Sequence, residues 1–366
     1  MGTIEPRPTK RTSPLLRLAL SLVVVLFFYW LLRTGALRLT PAEGTLARVD
    51  PWSIVAYVVV WFVSQVVRGG RWYWLLAAVE RVPMRTVLRV AFIGFFAIAV
   101  MPFRTGEVIR PLLIRRNGRL NAWAATGTVA AERVVDGFAI SLILFVALRV
   151  STPLDPLPDH IGDLPISARL IPAAATAFVT VFACACVAMV VYYLRHSWPR
   201  RIAHFVLAPL SPRLAGWVSS KIEQVADGLH FLSRPRHALP FLLGTVLYWC
   251  LTALAWSVLA KGCGLDSIGL VEAAAVYGVL ALGVLAPNAP GFFGAFQFSI
   301  YAGLALYIPR EQILVEGSLY VFLSYALQIG LPVVVGLGLI AHEPGILKLL
   351  WSPPPRPSPD SGLPEA

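Results

Sequence analysis

Long apolar runs alternate with short polar segments along almost the whole chain. A helix needs about 20 consecutive apolar residues to cross a bilayer. Six runs meet that length and predict full spans over 14–32, 51–67, 122–148, 170–194, 238–260 and 312–341. Two further apolar stretches, 88–114 and 268–308, are interrupted. The first break reads Pro102-Phe103-Arg104-Thr105-Gly106-Glu107 and the second Pro287-Asn288-Ala289-Pro290-Gly291. Proline stops a helix, and irregular backbone at membrane depth survives only where protein or water covers it. Each stretch therefore predicts a re-entrant or broken helical hairpin. The expected fold is an all-α polytopic membrane protein with six full spans and two such hairpins. The first run is too long for a signal peptide and is not followed by a small-residue cleavage site before Arg33. Between spans four and five, Leu214, Val218, Ile222, Val225, Leu229 and Leu232 recur at helical spacing. They predict an interfacial amphipathic helix over 212–232 on the cytoplasmic side.

Composition strengthens this picture. The chain is 57% hydrophobic and 14% charged, far from the balance of a soluble domain. An ordinary soluble enzyme is excluded. Net charge is +12, carried by 27 Arg and only 4 Lys. In a membrane chain such cations report orientation first, and nucleic acid is not an expected partner. With the N-terminus in the cytoplasm, every full span crossing once and both hairpins returning, 23 of the 31 cations fall on the cytoplasmic side. Seven fall outside and Arg133 lies within the membrane. The acidic loop bearing Asp155, Asp159 and Asp163 is then external, and both termini are cytoplasmic. The expected location is a bacterial inner (plasma) membrane. The expected division is a tail over 1–13, a first membrane repeat over 14–150, an outer loop over 151–169, a second repeat over 170–341 and a disordered tail over 342–366. Arg68-Gly69-Gly70-Arg71 is expected to end span two as a positive-inside anchor, with a headgroup contact as the alternative.

Each half reads span, span, hairpin, span, in opposite orientations. Trp74, Gly94, Pro102 and Gly106 are spaced by 20, 8 and 4 residues; Trp256, Gly278, Pro287 and Gly291 are spaced by 22, 9 and 4. This predicts an inverted repeat, and paired broken helices in such repeats point to a transport site near the midplane.

The candidate chemistry is a set of intramembrane charges. Glu132-Arg133-x-x-Asp136 lies about ten residues into span three. Charges at that depth are costly and mark either an internal ion-pair network or a substrate or proton path. Glu132 and Asp136 share a helix face, so one could carry a proton. Arg104, Glu107 and Arg110 at the first break offer complementary charge, with Arg133 able to meet Glu107. Gly106 at the first break, and Pro290 and Gly291 at the second, can start half-helices whose free N–H groups favour an anion. Asn288 and Gln297 flank the second break as uncharged donors; Gln297 could equally bond between helices. Cys184-x-Cys186 lacks a second pair, and His204, His230 and His237 make no zinc spacing, so neither metal nor cofactor is expected. No Gly-x-Ser-x-Gly or His-Glu-x-x-His motif occurs.

Four motifs in order carry a resemblance. They are Gly69-Gly70-Arg71-x-x-x-Leu75-Leu76, Pro102-x-Arg104-x-Gly106-Glu107-x-x-Arg110, Glu132-Arg133-x-x-Asp136 and Pro287-x-x-Pro290-Gly291-x-x-Gly294-x-x-Gln297. Together they resemble the flippase-like transmembrane domain of lysylphosphatidylglycerol synthases, over about residues 15–342. The resemblance implies a membrane protein that binds or moves a lipid with an anionic or otherwise charged headgroup. It also implies that the aminoacyl-transferase domain of the bifunctional synthases is missing here, so lysylphosphatidylglycerol synthesis is not expected. Some stand-alone relatives are associated with hopanoid or polyprenyl-phosphate lipids. Phe103 and Phe292-Phe293 depart from the Asn- or Gly-rich variation expected at the breaks. The alternatives are a membrane-embedded lipid transferase and a lipid-binding accessory subunit for lipid-biosynthetic enzymes.

Overall fold

The computed structural model describes residues 40–41, 44–101, 106–115, 120–159, 167–195, 212–285 and 290–342. The span expected over 14–32, most of the 342–366 tail and the two break segments 102–105 and 286–289 lie outside the described residues.

Among the described residues every regular element is helical. In chain order they are α1 (Pro51–Ala77), α2 (Met84–Val100), α3 (Gly106–Arg115), α4 (Ala122–Val150), α5 (Leu170–Leu194), α6 (Pro212–Asp227), α7 (Pro235–Gly262), α8 (Leu270–Gly283), α9 (Ala295–Leu304) and α10 (Arg310–His342). Helices α1, α5, α7 and α10 are long and apolar enough to cross a membrane. Helix α4 has 29 residues, about 43 Å at 1.5 Å per residue, and carries three charges at its middle. Local sequence sets the starts. The Asp50 and Asn121 side chains accept from the N–H groups of Trp52 and Trp123, capping α1 and α4. Helix α10 contains a π-helical turn over Ile313–Gly317.

Two boundaries differ from expectation by several residues. Helix α1 does not end at Val67 but runs to Ala77, so Arg68-Gly69-Gly70-Arg71 sits inside it and does not end the span as an anchor. Arg71 tolerates that place because carboxylates of α4 neutralise it. Gly69 lets α1 approach α2, where a Cβ would stand 3.1 Å from Leu88 and 3.2 Å from Ala91. The helix expected over 212–232 stops at Asp227, and a short 3-10 turn, His230–Ser233, follows. Gly228 there lies against the Ala124 carbonyl and Gly127 against the Val225 carbonyl, so α6 meets the α4 backbone at a distance no side chain allows.

Both interrupted stretches fold as antiparallel helix pairs. Gly106 meets the Ile98 backbone while Gly94 meets the Arg110 side chain, so α3 returns along α2. Gly283 meets Ser299 while Gly303 meets Val276, so α9 returns along α8. The two halves interlock. Helix α1 packs along α7, α2 along α10 and α8 along α4. Buried aromatic side chains such as Tyr57, Trp61, Trp72, Trp256 and Tyr320 fill the seams.

Candidate functional site

Helices α1, α3 and α4 bring their charges together in the bundle interior. Arg71 is 2% exposed, Arg110 1%, Glu132 0% and Asp136 7%, so these ions have almost no water. Arg71 is the hub. Its Nη1 and Nη2 donate to the two oxygens of Asp136, both at 2.6 Å. Nη2 also donates to Glu132 Oε1 at 3.2 Å, and Nη1 to Thr245 Oγ1 on α7 at 2.9 Å. This planar fork on a carboxylate is the strong form of the ion pair. Arg110 Nη1 lies 2.9 Å from Glu132 Oε2. Its guanidinium rests 4.1 Å from the ring centre of Trp72, whose indole N–H donates to Thr128. Gly94 opposite leaves the space that the Arg110 stem occupies.

Arg133 pairs with both acids of its own helix. Its Nη2 stands 3.1 Å from Asp136 and 3.3 Å from Glu132, and its Nη1 3.8 Å from Glu107 on α3. The expected Arg133–Glu107 meeting is thus present. Three guanidinium groups surround the two α4 carboxylates, so the pair needs no shared proton to coexist.

A cavity of about 450 Å³ opens beside this network. Arg68, Glu107, Arg133 and Asp136 form its charged part, and Trp61, Phe95, Tyr248, Trp249, Tyr277, Phe292 and Phe296 much of the rest. Both halves of the chain contribute, with Glu107 following the first break and Phe292 following the second. Charge at one part and aromatic wall elsewhere suit an amphiphile, since each part of such a molecule finds its own solvent.

The remaining predicted residues fall in several places. Gly106 begins α3 and supports its close return along α2. Arg104 and Asn288 lie outside the described residues, and Pro290 is described by its backbone alone. Gly291 takes φ +66° and Gly294 φ +86°, left-handed values that favour glycine. Phe292 between them takes φ +56°, a conformation that strains a non-glycine residue. Gln297 is 2% exposed and accepts the Gly294 N–H at 2.7 Å. It caps α9 and is absent from the cavity lining, so that N–H is not free for an anion.

Sequence reasoning missed Arg71 as the hub, Thr245 as its partner and Arg68 as a cavity residue. A signal was available. Trp72 to Val79 is again almost wholly apolar, so the span could have been continued through the two arginines. Among the described residues no group of His, Cys, Asp and Glu has the arrangement of a metal site.

The sequence matches the family described as lysylphosphatidylglycerol synthase TM region over residues 15–331. It is also similar to a protein named glycosyltransferase AglD from Haloferax volcanii, at 22% identity over 324 residues. That match covers 84% of this chain and 51% of the relative, so the chain spans about half the length of that protein.

Proposed function

The chain belongs to the family of the lysylphosphatidylglycerol synthase transmembrane region, and from that premise we propose that it binds a charged-headgroup or isoprenoid-type lipid and moves it between leaflets. The observation that carries this reading is the cavity, charged at one part, aromatic elsewhere and built from both halves of the chain. A flippase must shelter a headgroup from hydrocarbon while leaving its chains in an apolar setting. Paired ions at Arg133, Glu107 and Asp136 supply the polar shelter.

An inverted repeat fits this mechanism, because alternating access then exchanges two equivalent arrangements. The packing supports it by reciprocity. The hairpin helix of the first half, α2, packs on the last span of the second, α10; the hairpin helix of the second, α8, packs on the last helix of the first, α4. Helices α1 and α7, the matching members of each half, pack on each other. The cation distribution supports cytoplasmic termini in a plasma membrane.

Reconstituted vesicles test the proposal. The protein should accelerate the exchange of a headgroup-charged, tail-labelled phospholipid between leaflets. Ala281, which lines the cavity, provides the control. Ala281→Trp should fill the space and abolish exchange while the inserted, helical protein still accumulates. Equal exchange by wild type and variant would refute a path through this cavity.

A second reading is favoured by the relative named a glycosyltransferase, half of which this chain matches. There the cavity would hold a lipid for a transferase without moving it. Lipid binding without exchange would select that reading.

A further inference from the structure

The four guanidinium groups near the cavity are not equivalent. Arg71, Arg110 and Arg133 each face a carboxylate. Arg68 does not: among the described residues no carboxylate lies within ion-pair distance of it. Among the described residues its one polar contact is a 3.5 Å approach of Nη1 to Gln65 Oε1, at the limit of a hydrogen bond. Its Nε is buried with no hydrogen-bond partner among the described residues, a state it shares with the Nε of Arg71, Arg110 and Arg133, so the missing carboxylate is what sets it apart. The guanidinium is instead held by ring faces, 4.5 Å from the centre of Phe95 and 5.6 Å from that of Tyr248. Arg68 and both rings line the cavity.

Charge counting sharpens the contrast. Among the described residues of this site, four guanidinium groups stand against three carboxylates, those of Glu107, Glu132 and Asp136. The site carries excess positive charge, and Arg68 is the group with no countercharge of its own. Aromatic faces stabilise a cation but do not neutralise it. An uncompensated charge inside a membrane protein marks a place where function supplies the partner.

We propose that Arg68 is the headgroup-binding residue of this cavity and that its ligand is an anionic phosphate-bearing lipid. This rests on the lipid-binding reading above and narrows it from charged to anionic. The guanidinium fork matches two phosphate oxygens, and the rings that hold it fix the plane of that fork. Arg71, Arg110 and Arg133 hold the wall in shape, each with its charge already set against a carboxylate.

The test uses the full chain in phosphatidylcholine nanodiscs, titrated with phosphatidylglycerol and separately with glycerol phosphate and inorganic phosphate. The readout is the ratio of anionic to zwitterionic lipid affinity, alongside the unfolding midpoint of each protein. Wild type should prefer phosphatidylglycerol. Arg68→Gln should weaken phosphatidylglycerol binding about 10- to 100-fold, the worth of one charged hydrogen bond, and bring the ratio near one. Arg68→Lys keeps the charge, loses the fork and should fall between. If Arg68 only props the two rings, Arg68→Gln and Arg68→Lys will lower the unfolding midpoint and leave the ratio unchanged, which overturns the proposal. Equal competition by soluble phosphate would overturn the lipid as its source. A wild type without anionic preference would overturn the narrowing to anionic lipid, and a wild type that binds no lipid would overturn the underlying reading as well.

Discussion

Removing both members of the Arg71–Asp136 pair should cost less than the sum of removing each alone. Arg71 and Asp136 are 2% and 7% exposed and share two contacts of 2.6 Å. Breaking a buried pair by deleting one partner typically costs about 3–5 kcal/mol, because the survivor stays charged and unsolvated. Here the survivors are not abandoned. After Arg71→Met, Asp136 keeps Arg133 at 3.1 Å; after Asp136→Leu, Arg71 keeps Glu132 at 3.2 Å and Thr245 at 2.9 Å. The lower end, about 3 kcal/mol for each single change, is therefore expected. The double change removes both charges together and should cost less than the two singles summed, by about 2 kcal/mol. Unfolding in mixed micelles of increasing dodecyl sulfate content, followed by circular dichroism, measures all four proteins. Single variants within 1 kcal/mol of the parent, or strictly additive costs, would refute this account of the hub. Glu132 differs, since Arg71, Arg110 and Arg133 all reach it at 2.9–3.3 Å. It holds three cations in place, and Glu132→Gln is expected to lower the amount of folded protein.

Two predictions concern other regions. A cysteine replacing Asp159 should react with an impermeant reagent added outside cells and one replacing Arg116 should not; labelling at position 116 would remove the returning first hairpin from the proposed topology. Cys263 follows α7, is 5% exposed, and burial pushes its thiol up to about 12. At pH 8 only about one such thiol in 10⁴ is a thiolate, so maleimide should spare Cys263 until the protein is denatured, and rapid modification of the folded protein would contradict that burial.

The helices and the charges on α4 were legible because each signal is local. An apolar run predicts a helix, a Pro-Gly cluster predicts its interruption, and three ions within five residues of a span stand out from their neighbours. Arg68 and Arg71 were not legible in the same way. A cation after an apolar run has the same local appearance whether it meets water or a carboxylate. What separates the two cases is the partner, and the acids that hold Arg71 lie 61 and 65 residues further along the chain. Gln297 illustrates the converse. Its amide suggested a bond to another helix or to a ligand, yet its Oε1 serves the N–H three residues before it. This is the N3-to-N-cap arm of a capping box, a contact local to the start of α9.

The spacing of Glu107 and Arg110 now has a physical account. Three residues apart on α3, the two side chains share one helix face. That face meets α4, where Arg133 and Glu132 present the opposite order of charge, giving the contacts Glu107–Arg133 and Arg110–Glu132. Reversing one charge alone would set like charges against each other in the bundle interior. Gly94 and Gly106 make the arrangement possible by letting α3 lie against α2. The consequence concerns motion. Sliding α3 along α4 would separate the buried Arg110–Glu132 pair at a cost of about 3–5 kcal/mol. On the transport reading proposed above, the first hairpin and α4 are expected to move as one body and the cavity to open where its wall is apolar, along Phe292, Phe296 and the neighbouring α10 residues Ile329 and Pro332. That side holds the strained backbone at Phe292 and, among the described residues, carries none of the ion pairs that lock the other.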